Sequence, residues 1–389
     1  MTLSGKAAVA GIGATEFSKD SGRSELRLAC ESVRAALGDA GLAPSDVDGL
    51  VTFTMDGNSE IAVARELGIP ELSFFSRVHY GGGAAAATVQ QAAMAVATGV
   101  AEVVVAYRAF NERSGQRFGQ AQQGAATQVN SSGVDNSFHY PAGLATPAAT
   151  VAMSARRYMH EYGATSEDFG RVAVVDRARA ATNPNAWFYG KPITLEEHQQ
   201  SRWVAEPLHL LDCCQESDGG VALVVTTPER ARDLRQSPVT VTAAAQGSGP
   251  DQYIMNSYYR DDIAALPEMG VVGRQLWNQA GIRPSDVDVG VLYDHFTPYV
   301  LMQLEELGFC GRGEAGDFIG DGTLELDGSL PLNPHGGQLG EAYIHGMNGI
   351  AEGVRQVRGS AVNQVNNVNN VLVTAGTGVP TSGLVLSGT

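Results

Sequence analysis

Apolar residues Leu26, Ala29, Val33 and Leu37 recur at helical spacing between Glu25 and Ala40 and predict an amphipathic helix with one buried face. A glycine and a proline then break the pattern, and the continuous apolar run GLVTFT predicts a buried strand. The same succession returns in the second half, where GRQLWNQAG leads through Gly and Pro into VGVLYDHF. At the two junctions the residues from Ala40 to Val51 and from Ala280 to Val291 align without a gap, with eight identities in twelve. A unit repeated with its polar turn and its apolar strand intact predicts a duplicated fold.

The remaining patterns fill in the two copies. Residues Lys6 to Ala14 predict a first buried strand, and GIPELSFFSRVHYGGG carries another into three glycines. From about Ala84 to Thr98 the chain is a run of small residues with almost no charged face, which predicts a helix buried between sheets; the strand AEVVVAY follows. The stretch Asn111 to Thr146 shifts to Gln, Asn, Ser and Gly with little periodicity, predicting an excursion. Helical patterns resume in TPAATVAMSARRYMHEYG and EDFGRVAVVDRARAATNP, and GGVALVVTT closes the half as a strand before the charged PERARDLRQ. VTVTAAAQGS opens the second half near Pro238, and a Gly-rich turn, a helix and NVLVTAG end it. The βαβαβ order predicts mixed or parallel sheets with crossover helices and two core domains, residues 1–237 and 238–389.

Composition narrows the function classes. A 389-residue chain with 43% hydrophobic residues, 47 glycines and 17% charged residues is of the compact, turn-rich enzyme type. Its net charge of −16 argues against nucleic acid and anionic membrane as partners. The four cysteines Cys30, Cys213, Cys214 and Cys310 form no CxxC pair, which fits a reducing cytoplasm. The N-terminal residues lack the apolar core of a signal peptide, and Gln90, Gln91 and Glu102 interrupt the Ala-rich run, so no membrane segment is expected.

The segments TGVAEVVVAY, ARRYMHEYG, NPNAW, SRWVAEPLHLLDCC, SDGGVALVVTT, YDHF with LEELGFC, and NPHGG with GMNGIAE and QVRG are spread over nearly the whole chain. By these residues it resembles the thiolase superfamily, and within it the sterol-carrier-protein type and its lipid-transfer-protein relatives. The resemblance implies an α/β thiolase fold: two duplicated mixed β-sheet halves in a five-layer αβαβα arrangement, a loop or lid region over about 111–170, and a dimer. It also locates the family's chemistry. The nucleophilic cysteine, seventeen residues before Gly99, falls on Gly82. The HDCF motif reads Tyr293, Asp294, His295, Phe296, and GHP reads Ala342, Tyr343, Ile344, while no cysteine follows Cys310. Without a thiolate there is no acyl-enzyme, so the thiolase reaction is expected to be absent.

Two tyrosines in place of two catalytic histidines resemble the thiolase-like aldolases of bacterial steroid side-chain degradation. That resemblance implies retro-aldol cleavage of a 17-hydroxysteroid bearing a C-17 acyl-CoA side chain, to a 17-ketosteroid and propionyl-CoA. Tyr293 and Tyr343 would be the acid/base pair, with Asp294 orienting a partner and His295 or His345, or the N-terminal end of a buried helix, lowering a phenol pKa; His345 would also bind substrate, with Gly82, Gly83, Gly247, Ser248 and Gly376. The glycines Gly81, Gly82 and Gly83 and those from Gly376 to Gly378 would offer N–H donors to the enolate oxygen, if they are not merely tight turns. Gly247 and Ser248 would meet the CoA pantetheine or be a solvent turn; Arg156 and Arg157, with Arg108, Arg113 and Arg117, would meet its phosphates or form a salt-bridged surface. Cys213 and Cys214 are read as buried inert thiols. No metal or redox cofactor is expected, coenzyme A entering as part of the substrate. The expected partners are a second copy and a small OB-fold/zinc-ribbon protein, itself linked to an enoyl-CoA hydratase. Two alternatives stand beside the lyase: a non-catalytic acyl-CoA or sterol carrier or scaffold, and a condensing enzyme that forms no covalent intermediate.

Overall fold

The computed structural model describes residues 3–120, 137–252, 260–320, 322–376 and 381–388. Helix α1 (Glu25–Ala40) begins on a Ser24 side-chain cap and ends on Gly41 at φ 78°, and Pro44–Asp46 then makes one tight turn before strand β2 (Gly49–Phe53). Asp48 in that turn accepts from the backbone N–H of Glu102 and Val103, at 2.9 Å each, and so aligns β2 with strand β4 (Val103–Asn111). The second copy repeats each device. Helix α6 (Pro267–Ala280) ends on Gly281 at φ 68°, Pro284–Asp286 turns, and Asp288 accepts from Asn369 and Asn370 N–H, at 2.8 Å each, beside strand β8 (Asn370–Ala375). Glycine suits both helix ends because each chain reversal takes a left-handed φ that strains a residue with a Cβ. The repeated aspartates therefore set strand register, which is why the polar turn is kept together with its strand.

With β1 (Ala8–Ala14), β3 (Phe74–Val78), β5 (Asp218–Thr226), β6 (Val239–Gly247), β7 (Val289–Val291) and β9 (Thr381–Ser387), the strands run in the order β3-β2-β4-β5-β1-β6-β9-β8-β7. Within each half the outer strands are parallel and the inner ones antiparallel. The two half-sheets meet where β1 pairs with β6, Ala8 with Thr240 and Val9 with Val239. One central core is shared by the two halves, beside an outer core on each. Helices α3 (Ala85–Thr98) and α9 (Met347–Arg358) lie between the half-sheets and pack with residues such as Val51, Val104, Val221, Val241, Val371 and Leu384 from both. The small side chains of α3 permit this, since Ala84 to Ala87, Ala92 and Ala93 are buried without pushing the sheets apart. Outside lie α1 with α2 (Glu60–Leu67) on one sheet and α6 with α7 (Thr297–Glu306) on the other, completing five layers.

The expected boundary between 237 and 238 lies in the connection before β6. In the expected lid region, helix α4 (Pro147–Tyr162) packs with α5 (Ser166–Thr182) in the outer core of the second sheet, and residues 121–136 lie outside the described residues.

Strand β1 meets α1 at backbone distance. A Cβ on Gly13 would run into the backbone of Ala36 and Ser32, and one on Gly11 would lie 2.9 Å from the Ala40 Cβ. Gly13→Ala therefore forces α1 off the sheet, and chemical denaturation is expected to show a loss of about 2–3 kcal/mol, the upper range for overpacking; an unchanged midpoint would mean that α1 moves away freely.

Candidate active site

Three segments from the two halves converge at the N-terminal end of α3: the Gly81–Gly83 turn, the segment after β7 carrying Tyr293, and the loop between the short helix α8 (Gly337–Gly340) and α9 carrying Tyr343 and His345. Tyr293 is held from both backbone sides. Its N–H donates to Thr374 Oγ1 at 2.9 Å, and its carbonyl accepts from Gln303 Nε2 at 2.8 Å. Its hydroxyl donates to the Tyr343 hydroxyl at 3.0 Å, and the Tyr343 N–H rests on Ser217 Oγ at 3.2 Å. A Cβ placed on Gly82 would coincide with the Tyr293 hydroxyl. The phenol thus occupies the space that a side chain at position 82 would take, and a cysteine there and this tyrosine exclude each other.

Burial dominates the electrostatics. It pushes both phenols well above their ordinary pKa; for Tyr293 the bond to Tyr343 pulls weakly the other way. The expectation that His295 or His345 lowers a phenol pKa is corrected here, because neither ring is charged. Burial holds His295 down at about 3, and its imidazole bonds to the Tyr293 backbone carbonyl. His345 is pushed well below its ordinary range, by burial first and then by the Arg108 guanidinium. His345 and Gly346 have φ of 51° and 87°, a left-handed pair that turns the imidazole inward. Phe110 and Phe118 enclose that ring, with centroids at 5.0 and 5.6 Å, and Tyr343 meets it edge-on at 5.1 Å.

Asp294 does not serve the tyrosines. Its carboxylate accepts from the Gln338 and Leu339 N–H at 2.8 and 3.0 Å, faces Asp176, and leaves no room for a Cβ on Gly337. It caps α8 and fixes the loop that delivers Tyr343. Gly83 accepts from Ser382 Oγ at 2.6 Å, so β9 ties down the glycine turn. Gly247 pairs with Thr381, the neighbour of Ser382, and its open side is filled by Val271 and Val272; Ser248 bonds to the Gly249 carbonyl. Neither makes a hydrogen bond to the tyrosine pair among the described residues. Gly376 sits at φ 70° two residues beyond Thr374, and Gly378 lies outside the described residues.

Of the arginines, Arg108 is 1% exposed and belongs to the interior, which rules it out as a phosphate contact or surface ion pair. Arg117 and Arg156 pair with Glu216 and Glu206, and Arg157 with Glu161. Burial pushes the thiols of Cys213 and Cys214 up, so both are poor nucleophiles. Two buried acids escaped the sequence reading. Asp56 pairs with Arg108, and burial with the nearby Glu216 charge pushes Glu112 well above the usual range. An arginine inside the apolar run VVVAYRAF was the available signal for the first pair; Glu112 had none.

Residues 7–229 match the family model for the thiolase N-terminal domain and residues 236–386 that for the thiolase C-terminal domain-like family. The chain is 72% identical over 384 residues to the 17-hydroxy-3-oxo-4-pregnene-20-carboxyl-CoA lyase of Mycobacterium tuberculosis, covering 99% of this chain and 100% of that protein. It is 71% identical to the steroid side-chain-cleaving aldolase of Thermomonospora curvata, over 99% of this chain and 98% of that one. A solved Ltp2-ChsH2(DUF35) aldolase superimposes with a TM-score of 0.96 at 70% identity, covering 100% of this chain and 99% of the other.

The buried carboxyls make stability depend on pH. Burial raises Asp294 to about 6 and Asp176 well above its ordinary value, the second also because the two face each other. A carboxyl raised in the folded state binds its proton more tightly there than in the unfolded chain. Its stabilisation is complete below the ordinary carboxylate pKa, near about 4, and is lost as pH rises through the folded value. Asp176→Asn removes one of two like charges, so its denaturation midpoint is expected to exceed that of the parent at pH 8 and to approach it at pH 5. A difference independent of pH would show that the two acids do not share a proton.

Proposed function

The chain belongs to the thiolase family, and we propose that within it the protein is a carbon–carbon lyase that cleaves the side chain of a 17-hydroxysteroid acyl-CoA to a 17-ketosteroid and propionyl-CoA. The observation that carries this reading is the Tyr293 hydroxyl lying where a side chain at position 82 would be, bonded to Tyr343. The site that would hold a thiolate holds a phenol pair. Of two relatives above 70% identity, one is named a 17-hydroxy-3-oxo-4-pregnene-20-carboxyl-CoA lyase and the other a steroid side-chain-cleaving aldolase, which supports the substrate class and disfavours a carrier, a scaffold or a condensing enzyme.

The raised phenol pKa values shape the mechanism. Ionising a phenol of pKa near 10 at pH 7 costs about 4 kcal/mol, and burial adds to that cost. A free tyrosinate base is therefore disfavoured, and a neutral relay is favoured. The substrate hydroxyl gives its proton to one phenol oxygen while that phenol passes its own proton across the 3.0 Å bond to the other. As the hydroxyl oxygen becomes the ring carbonyl, the bond from C-17 to the side-chain α-carbon breaks, and its electron pair enters the thioester as an enolate. As the relayed proton arrives, the second phenol releases its own to the α-carbon, so it never holds two protons and neither tyrosine carries a full charge. The thioester is the electron sink, and the reaction as written needs no metal or redox cofactor.

The partner reading has similar support. The solved neighbour is named for two components, Ltp2 and ChsH2(DUF35), which supports an accessory subunit of the DUF35 kind for this chain. Strand β3 is a sheet edge with Phe75 61% exposed, a surface suited to pairing with a second copy. No helix among the described residues is long and apolar enough to cross a membrane, and a cytoplasmic setting accords with the unpaired thiols.

Incubation with the accessory subunit and the 17-hydroxysteroid CoA ester in D2O should give propionyl-CoA carrying one deuterium at the α-carbon, read by mass. Tyr293→Phe or Tyr343→Phe breaks the relay and is expected to lower kcat by about 10²–10⁴-fold. Recovery of intact ester from the parent protein would overturn the lyase reading. Gly82→Ala is expected to match Tyr293→Phe in kcat while keeping a folded thermal transition, since its Cβ displaces the hydroxyl; full activity would show that the contact is dispensable.

A further inference from the structure

Arg108 is a fully buried cation in the middle of an apolar strand, and its position is explained by what it holds. Its Nη1 donates to Asp56 Oδ2 at 3.0 Å, and its guanidinium lies 4.2 Å over the Phe110 ring and 5.5 Å from that of Phe53. Asp56 is itself fixed, accepting from the N–H of Ala109 and Asn58 at 3.2 and 2.9 Å. The third contact is the informative one: Arg108 Nε donates to His345 Nδ1 at 3.1 Å. A guanidinium has only donors, so Nδ1 must accept with its lone pair. The single imidazole proton then sits on Nε2. An imidazolium would set a second N–H and a second charge against the guanidinium, which the geometry opposes.

Nε2 points at the glycine turn. A Cβ on Gly81 would lie 3.5 Å from it, and one on Gly82 would meet the Tyr293 hydroxyl. The imidazole N–H and the phenol pair therefore flank the same stretch of bare backbone, and no described residue accepts from Nε2. A substrate oxygen at this turn meets a side-chain donor of fixed tautomer at the N-terminal end of the fourteen-residue helix α3.

We propose that His345 is a neutral N–H donor to the thioester oxygen of the substrate as it becomes the enolate oxygen, and that Arg108 and Asp56 are positioning residues that lock its tautomer. This rests on the lyase reading above. A neutral imidazole suits the task because its N–H is a weak acid: it stabilises the enolate by hydrogen bonding without handing over a proton, which leaves the α-carbon as the site of protonation. The proton balance of the relay is unchanged.

The test has a structural and a kinetic arm. In the full chain labelled with 15N-histidine, the His345 resonances, assigned by their loss in His345→Gln, should show protonated Nε2 and unprotonated Nδ1 throughout the neutral range. Arg108→Lys keeps the buried charge but loses the Nε donor, and should yield a tautomer mixture. An imidazolium, or a proton on Nδ1 in the parent protein, overturns the lock whatever the enzyme's reaction. With the accessory subunit and the steroid CoA ester, His345→Phe is expected to lower kcat by about 10²–10³-fold with little change in KM. His345→Gln, which restores an N–H near the same place, should recover at least about tenfold of that loss. Parent-like kcat in His345→Phe sinks the donor role and leaves the lyase reading standing; failure of the parent protein to cleave sinks the lyase reading, while the resonances still decide the tautomer.

Discussion

Two groups cannot occupy one volume, and the site is organised around that constraint at Gly82 and Tyr293. The glycine comes from the N-terminal half and the tyrosine from the C-terminal half. Their contact exists only because the two duplicated units share a central core. A Cβ on Gly82 removes the phenol from its place, and the place matters because the hydroxyl must also reach Tyr343. The exchange of side chain for bare backbone on one half and of imidazole for phenol on the other is therefore a single steric event. It leaves a hydrogen-bonded phenol pair where a side chain at position 82 would stand.

The polar groups around that contact are kept neutral or paired. Desolvation raises the phenols and carboxyls and lowers the imidazoles, so at neutral pH the interior holds few net charges despite its many ionisable residues. Arg108 keeps its charge, balanced by Asp56 and by aromatic faces. Such an environment penalises any mechanism that separates charge and favours one that moves protons along preformed hydrogen bonds. It also costs stability as pH rises through about 6, where a buried acid such as Asp294 must ionise against its surroundings.

Scaffolding surrounds these few groups. The repeated aspartates Asp48 and Asp288 set the register of the parallel strands in both halves. Asp294 caps the short helix that leads to Tyr343, and Ser382 anchors the glycine turn from β9. Asp294 and Ser382 thereby hold the two segments that frame the tyrosine pair. Preorganisation at this level is what the proposed relay would require, since a hydrogen bond that must first be formed would add its own ordering cost.

The amino-acid sequence by itself determined the elements and the inventory. Local periodicity encodes α1, α3 and their strands, and the twelve-residue repeat reveals the duplication, because these depend on neighbours a few residues apart. The absence of a nucleophile at Gly82 and the presence of Tyr293 and Tyr343 at the histidine positions were likewise legible once the motifs were aligned. Tertiary structure alone decided which groups meet. That Asp294 turns to a helix cap, that Arg108 lies inside and grips His345, and that both histidines stay uncharged follow from contacts across as many as 237 positions of chain and from burial. Hydrogen-bond partners and desolvation are properties of the packed molecule, and no local pattern of residues specifies them.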